Sequence, residues 1–518
     1  MTTATTPRPP DPAPVEDRGG MAQYLLGAAS GAADAIVDGG RRHSYAELRD
    51  AVATLTARVL GLGLQPGTPV ALVAPNGLFW AAAYIATMQA GMVTVPLPLT
   101  LTLPETLARI RWIGAGAVLL AGPARHPVAA ALPPEVAVIG DGALLEGPVQ
   151  WRACPTVVAP PDTDAAYLFT SGTTGQPRAV RLTRGNIQAN TESILGYLEL
   201  RATDRALVVL PFTYVFGASL LHTHLRVGAE LITPRSVAYP ESTVNLLESE
   251  SCTVFAGVPS VFQVLLRNST FARRRLPDLR LVQQAGGRLP PALVKELVEA
   301  QPHARVFVMY GATEATARLS ALPPDELATR PGSIGRGIPG VTLRVVGEDG
   351  AEVAPGVVGE IRARGENISP GYVGDPAASA AKMPDGELHT GDLATVDEDG
   401  FIYIVDRIEH FIKTWGHRVA SHDVEGVVIE LPDLIAVAAV GMPDEAAGER
   451  VELLVVRRPG ADLTADDIVA HCRRRLPKQG VPAAVHFADR LPTNVNGKVV
   501  VREVRSWIAA ATAEGGHP

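Results

Sequence analysis

The stretch FTSGTTGQPRAV, Phe169 to Val180, decides how the chain is read. It gathers Thr170, Ser171, Thr173 and Thr174 around Gly172 and Gly175, then closes on Pro177 and Arg178. A run this polar and glycine-rich suits neither a strand nor a helix and reads as a loop. Glycines let the backbone turn its N–H groups inward, hydroxyls add donors, and a nearby cation offsets negative charge. The loop therefore suits phosphate oxygens. It is not a P-loop, because GxxxxGK[ST] is missing and Pro177 has no N–H to donate.

The surroundings of the loop bound the protein class. With 518 residues, 47% hydrophobic and 19% charged, the chain has the make-up of a globular protein of more than one domain. A net charge of −8 argues against a non-specific nucleic-acid binder, which needs a basic face. Cys154, Cys252 and Cys472 lie far apart without metal-ligand spacing and read as buried free thiols of a reducing compartment. Residues 1–20 are Pro-rich with no apolar segment, so a disordered leader is expected rather than a signal peptide. The most apolar region, Val70 to Val95, is broken by Pro75, Asn76 and Gln89, which makes it core rather than a membrane span. A cytoplasmic location is the expectation.

From about Arg42 to Ala300, helical patterns alternate with short apolar strands such as PVALVAP, RALVVLP, AELITP and CTVFAGVP, with ARVFVMYG just beyond. HSYAELRDAVATLTARVLGLGL begins with a capping box, Ser44 and Glu47. Strands spaced by helices in this way come from stacked βαβ units. After about Pro331 the pattern turns to period-2 alternation. It predicts two strands around the turn GEDG and a hairpin in LATVDEDGFIYIVDR. The last hundred residues return to a small α+β texture with a helix in HDVEGVVIEL. The expected fold is thus α/β: a large N-terminal domain of stacked βαβ sheets with a β-rich subdomain (21–406), then a small mobile α+β domain (407–509) and a tail (510–518).

SGTTGQPR, YGATEA, GELHTGDLATVDEDGFIYIVDR, IKTWGHRV and PTNVNGK occur in this order along residues 42 to 505. In these motifs and their spacing the chain resembles the AMP-forming acyl-CoA synthetase and adenylation-domain superfamily. The resemblance implies that a carboxylate attacks the α-phosphate of ATP, pyrophosphate leaves, and the acyl-adenylate passes its acyl group to a thiol. Two anions must meet, so catalysis is charge neutralisation and positioning. The resemblance places Thr170, Ser171, Gly172, Thr173, Thr174 and Gly175 over the β- and γ-phosphates. Arg178 stands where relatives carry Lys, and it keeps the charge; Ala179 stands for the usual Gly. It assigns Glu314 to magnesium and Thr313 to the α-phosphate. Gly286, Gly287 and Arg288 fall beside the adenine, and Tyr310, Gly311 and Ala312 belong to the ATP/AMP site, Ala312 also bordering the acid pocket. Asp392 and Arg407 fall on the ribose, with Tyr403 stacking nearby or lying in the core of its strand.

Lys498, one of only five lysines, matches the catalytic lysine that bridges the carboxylate and the α-phosphate. Glu409 matches the hinge about which relatives rotate the small domain, and Gly416 the lining of the thiol tunnel. CoA is the implied acceptor. The alternatives are the phosphopantetheine of an acyl or peptidyl carrier protein, or an amine; a catalytically idle homologue is disfavoured by Glu314, Asp392 and Lys498. The acid pocket is expected from Tyr214, Val215, Phe216, Val258 and Met309. Amino-acid-activating relatives place an Asp where Val215 stands, and an ammonium against valine would be left unpaired. The expectation is a fatty or aryl acid in an apolar pocket.

Overall fold

A computed structural model describes residues 20–170, 178–236, 239–407, 411–493 and 499–513; residues 1–19 and 514–518 and the side chains of Arg407 and Ala513 lie outside it. Among the described residues four sheets form, of nine, six, four and five strands. The six-stranded sheet runs in parallel through Pro69–Val73 and its neighbours and ends on the antiparallel pair Asp164–Thr170 and Arg178–Thr183. The nine-stranded sheet has a parallel centre in which Arg205–Val208, Val254–Gly257, Leu281–Gln284 and Arg305–Tyr310 follow one another in space. All but Leu281–Gln284 are runs expected from sequence, and the central strands are buried on both faces, as parallel strands under helices must be.

One apolar cluster holds both of these sheets. It takes Val70 and Leu72 from one, Leu231, Val254 and Leu281 from the other, and the helix Leu78–Gln89. That helix is buried from Phe79 to Gln89 and has no polar face, so it lies inside the protein. No described helix is long and apolar enough to cross a membrane.

The four-stranded sheet is antiparallel, Val341–Val346, Gly359–Gly365, Leu388–Val396 and Ile402–Arg407. Its last two strands form the hairpin expected in LATVDEDGFIYIVDR. The first pair corrects the GEDG expectation: Val346 pairs with Glu360, and the partner strand starts at Gly359. The residues after GEDG make only an isolated bridge, Val346 to Glu352, because the VAPG segment breaks the ladder. After Arg407 the chain enters another sheet, built on the long pair Leu434–Asp444 and Gly448–Arg457 and covered by the helix Ser421–Val428. Cys252 and Cys472 are buried free thiols as expected, whereas Cys154 is only half-buried.

The capping box at Ser44 forms in full. Glu47 N donates to Ser44 Oγ (3.2 Å), and Ser44 N donates to Glu47 Oε2 (2.8 Å), opening the helix Tyr45–Leu60. Ser44→Ala removes one side of this exchange and lowers the opening free energy of the first helical turn by about 1 kcal/mol. Native-state hydrogen exchange at Glu47 measures it; unchanged protection would show that packing alone holds the helix end.

Candidate active site

Thr170 and Arg178 face each other across the antiparallel pair Asp164–Thr170 and Arg178–Thr183. Ser171, Gly172, Thr173, Thr174 and Gly175 lie outside the described residues. The described neighbours of Arg178 show what this end of the pair meets. The Arg178 guanidinium lies 5.5 Å from the centre of the Tyr372 ring and 3.7 Å from Asp375. Tyr372 in turn donates its hydroxyl to Glu314 Oε1 at 2.8 Å. Burial and the Glu314 charge push the Tyr372 phenol well above its ordinary range, so it stays a donor. Among the described residues no cation pairs with Glu314, and its carboxylate remains an anionic oxygen donor.

Glu314 sits on a short 3-10 turn, Thr313–Ala315, which follows the strand Arg305–Tyr310. The chain is pressed together here. A Cβ on Gly311 would lie 1.7 Å from the Ala317 carbonyl oxygen, so no other residue fits at that position. Asn367 fastens the turn: its Nδ2 donates to Ala315 O (3.1 Å) and Arg318 O (2.9 Å), while Thr316 Oγ1 donates to Asn367 O (2.7 Å). Thr316 adopts a left-handed φ of 62°, and the backbone then leaves toward Ser320. Ala312 and Thr313 are half-buried on the same turn.

On the other side of Gly311, Tyr310 donates its hydroxyl to Asp392 Oδ2 at 2.6 Å. Asp392 is itself buried, on the strand Leu388–Val396, and opposite Arg407 in register. Gly286, Gly287, Met309, Tyr310, Gly311 and Asp392 border one cavity of about 830 Å³. Gly286 has a φ of 88°, and a Cβ there would press on Val258 (2.9 Å) and the Tyr214 hydroxyl (3.1 Å), so a glycine brings the loop close to both. One cavity thus reaches from an acidic group suited to a diol, Asp392, to Gly311, three residues before Glu314.

The small domain closes one side of the cavity through Asp406, Ser421 and His422. Arg288, expected beside the adenine, reaches across to Asp423 on the helix Ser421–Val428 (3.5 Å). His422 stands between Asp406 (3.7 Å) and Asp423 (3.3 Å). Below them, burial pushes the Glu425 carboxyl up to about 7; the Ala439 N–H that it accepts opposes this, Asp406 adds to it, and Arg288 opposes it.

Two expected residues stand differently. Tyr403 does not join the ribose side: its hydroxyl donates to Asp397 Oδ2 (3.2 Å), and the cavity wall is its neighbour Ile404. Successive strand residues face opposite ways, and the motif marks the strand without marking its face. Gly416 forms with Trp415 the two-residue turn between Ile412–Thr414 and His417–Val419, with φ of 77° and 52°, away from the cavity. Lys498 and Glu409 lie outside the described residues, as does the Arg407 side chain.

Val215, Phe216, Val258 and Met309 are buried together, with Tyr214 at the N-terminus of the helix Val215–Val227. The pocket is not purely apolar, however. The buried Arg318 guanidinium lies 4.0 Å over the Phe216 ring. Reading the sequence missed it, although an arginine four residues past Glu314, in a run of small and apolar residues, is a visible signal.

Residues 27–373 match the family described as AMP-binding enzyme, and residues 423–498 match the AMP-binding enzyme C-terminal domain. The chain is 33% identical over 481 residues to a feruloyl-CoA synthase of Amycolatopsis sp, covering 91% of this chain and 95% of that protein. It is 33% identical over 491 residues to a long-chain-fatty-acid–CoA ligase of Yersinia pestis, covering 86% of each. The crystal structure of ATP-bound MatB from Rhodopseudomonas palustris superposes with a TM-score of 0.85 at 27% identity, over 94% of this chain and 98% of that one.

Two outcomes follow from the geometry. Tyr372→Phe frees Glu314 Oε1 and cuts its link to Arg178, and raises the KM for the ATP–magnesium complex several-fold with less effect on the KM for the acid; equal changes in both would show that the bond only supports the fold. Glu425 has a folded-state pKa above its ordinary value of 4.5, so the folded chain holds the extra proton and stability falls as pH rises from about 4.5 to about 7. Glu425→Gln flattens that fall and melts higher than the wild type at pH 8, read by thermal unfolding between pH 5 and 8. Parallel pH profiles would refute it.

Proposed function

The chain belongs to the AMP-binding enzyme family of AMP-forming acid–thiol ligases, and on that premise we propose that it activates a fatty or aryl carboxylic acid with ATP and transfers the acyl group to CoA. The observation that carries the proposal is the span Tyr310 to Glu314. Within five residues it brings Tyr310, bonded to the carboxylate of Asp392 on the diol side, next to the phosphate-side carboxylate of Glu314, to which Arg178 is linked through Tyr372. A nucleotide laid along the cavity would have its ribose at Asp392 and its phosphates toward Glu314. One carboxylate facing a cis-diol makes two charge-assisted hydrogen bonds.

Magnesium fits this arrangement. Glu314 offers a hard, unpaired carboxylate, and no group of three acidic, His or Cys residues that could hold a metal alone occurs among the described residues. The remaining ligands would then be phosphate oxygens and water. Bound there, the metal would supply neutralisation of the phosphate charge. Arg178 would add a cation on the pyrophosphate side, and Tyr372 keeps Glu314 aimed. Lys498 would approach with the small domain to hold the carboxylate oxygen against the α-phosphate. The acid would lie among Tyr214, Phe216, Val258 and Met309. After pyrophosphate leaves, rotation at Glu409 would bring the Gly416 turn in to guide the thiol, whose sulfur attacks the acyl carbon and expels AMP.

CoA is the favoured acceptor because both sequence relatives above are named as forming CoA thioesters. The test is pyrophosphate release over a panel of fatty and aryl acids, with CoA, a phosphopantetheinyl carrier protein and a simple amine offered separately. The expected result is acid-dependent release and a CoA thioester. Lys498→Ala lowers turnover by about 100-fold or more, the scale of losing one preorganised charge partner. No release with any acid, from wild type and Lys498→Ala alike, would end the adenylation reading.

A further inference from the structure

Among the described residues two arginines are buried, Arg184 and Arg318. Arg184 is as deeply buried as any, and it donates to Met88 O (2.6 Å) and Val157 O (3.4 Å). Arg181 holds Asp164 with its Nε and Nη2 edge, at 3.0 and 3.1 Å. Arg280 uses the same edge on Asp204. Nε and Nη2 point their hydrogens the same way, which matches the two oxygens of one carboxylate.

In Arg318 that same edge is open. Nε and Nη2 are both buried and have no hydrogen-bond partner, and no carboxylate pairs with the side chain among the described residues. Its face is covered by Phe216, and the Tyr197 hydroxyl beside it bonds to Met309 Sδ at 3.1 Å. Burial pushes the Tyr197 phenol up to about 12, so it adds no negative charge. The arginine cannot withdraw easily, because its own carbonyl accepts from both Asn190 (3.1 Å) and Asn367 (2.9 Å). A buried cation left without an anion is strongly unfavourable, and a fold that retains one leaves room for the missing partner.

A second donor stands on the same side. Gln283 is buried with an unpartnered Nε2 and lies opposite Phe307 in register. The Phe307 ring packs 5.8 Å from Tyr197, the residue beside Arg318. Phe216, Met309 and the Tyr214 helix end, the walls assigned to the acid, surround this region. Met309 also borders the cavity of about 830 Å³ that holds Asp392 in its wall.

We propose that the Nε and Nη2 edge of Arg318 receives a second carboxylate of the acid substrate, so that the chain activates a dicarboxylic acid at one end while holding it by the other. This rests on the adenylation reading above and narrows its substrate class. The aliphatic or aryl body of the acid spans the apolar walls. A simple fatty or aryl monocarboxylic acid fills the same space but leaves the buried guanidinium dry and unpaired, which a site built around that donor penalises heavily.

The experiment compares matched pairs, hexanoate with hexanedioate, longer homologues of each, and 3-phenylpropanoate with 3-(4-carboxyphenyl)propanoate, by pyrophosphate release. In wild type at least one dicarboxylate exceeds its monocarboxylate partner in kcat/KM by about 100-fold or more, mostly through KM. Arg318→Met, which keeps the length and removes the charge, lowers the dicarboxylate by a similar factor and leaves the monocarboxylate unchanged or improved. Arg318→Lys falls between, since an ammonium lacks the fork. A wild type whose best acids are all monocarboxylic overturns the proposal, whether or not the variants fold. So does Arg318→Met lowering both members of a pair equally, which a packing role or a grip on the reacting carboxylate would give. A parallel thermal shift with the dicarboxylates and a non-hydrolysable ATP analogue separates the two readings. Dicarboxylate-specific stabilisation of wild type, absent in Arg318→Met, supports this site even where no acid releases pyrophosphate and the adenylation reading has failed. Stabilisation of both proteins alike counts against it.

Discussion

The close approach of Gly311 to the Ala317 carbonyl is the constraint on which the site depends. A chain that passes this near to itself has little freedom left, and Asn367 removes more by bonding to two of the turn's carbonyls. Tyr310, Glu314 and Arg318 are therefore held by one rigid turn, although they address three different neighbours. Tyr310 bonds to Asp392, Glu314 accepts from Tyr372, and Arg318 stacks on Phe216. Groups fixed relative to one another before a ligand arrives need no reorganisation when charge develops, and this is the usual source of electrostatic catalysis.

The distribution of charge around this turn follows the demands of bringing anions together. Asp392 and Glu314 bring two carboxylates to this turn, and the cation Arg178 stands against Tyr372. The chain uses arginine for nearly all its positive charge, including Arg178. Arginine stays charged when desolvated and offers a planar fork, so it can serve a half-buried site where a lysine would lose its proton more readily. The buried, unpartnered Arg318 extends the same preference into the pocket for the acid.

The small domain meets the rest of the chain through charged groups beside the cavity and through an apolar cluster next to them. Arg288 reaches Asp423, and His422 lies between Asp406 and Asp423. Contacts of this sort are weak individually and sensitive to solvent. Val424, Leu434 and Val437 share one buried cluster with Phe262, Leu265 and Leu266, so burial of apolar surface also holds this interface.

The sequence by itself determined the family, the parallel strands and the motifs of the nucleotide site. These are local: a capping box, a glycine-rich turn or an apolar strand is a property of neighbouring residues, so Ser44, Gly286 and the strand ending at Tyr310 could be read directly. Which way a residue faces, and what it meets across the fold, is not local. Tyr403 turns to Asp397 because strand alternation puts Ile404 on the cavity side, and the strand following GEDG begins later because the intervening segment breaks the ladder. Tyr372 carries no motif, yet it links Arg178 to Glu314 only once distant strands are brought together. Arg318 is the sharpest case. Its place after YGATE was visible, but the meaning of a cation lies in its partners, and only the tertiary structure decides that no carboxylate meets this one among the described residues and that its Nε and Nη2 stay unbonded.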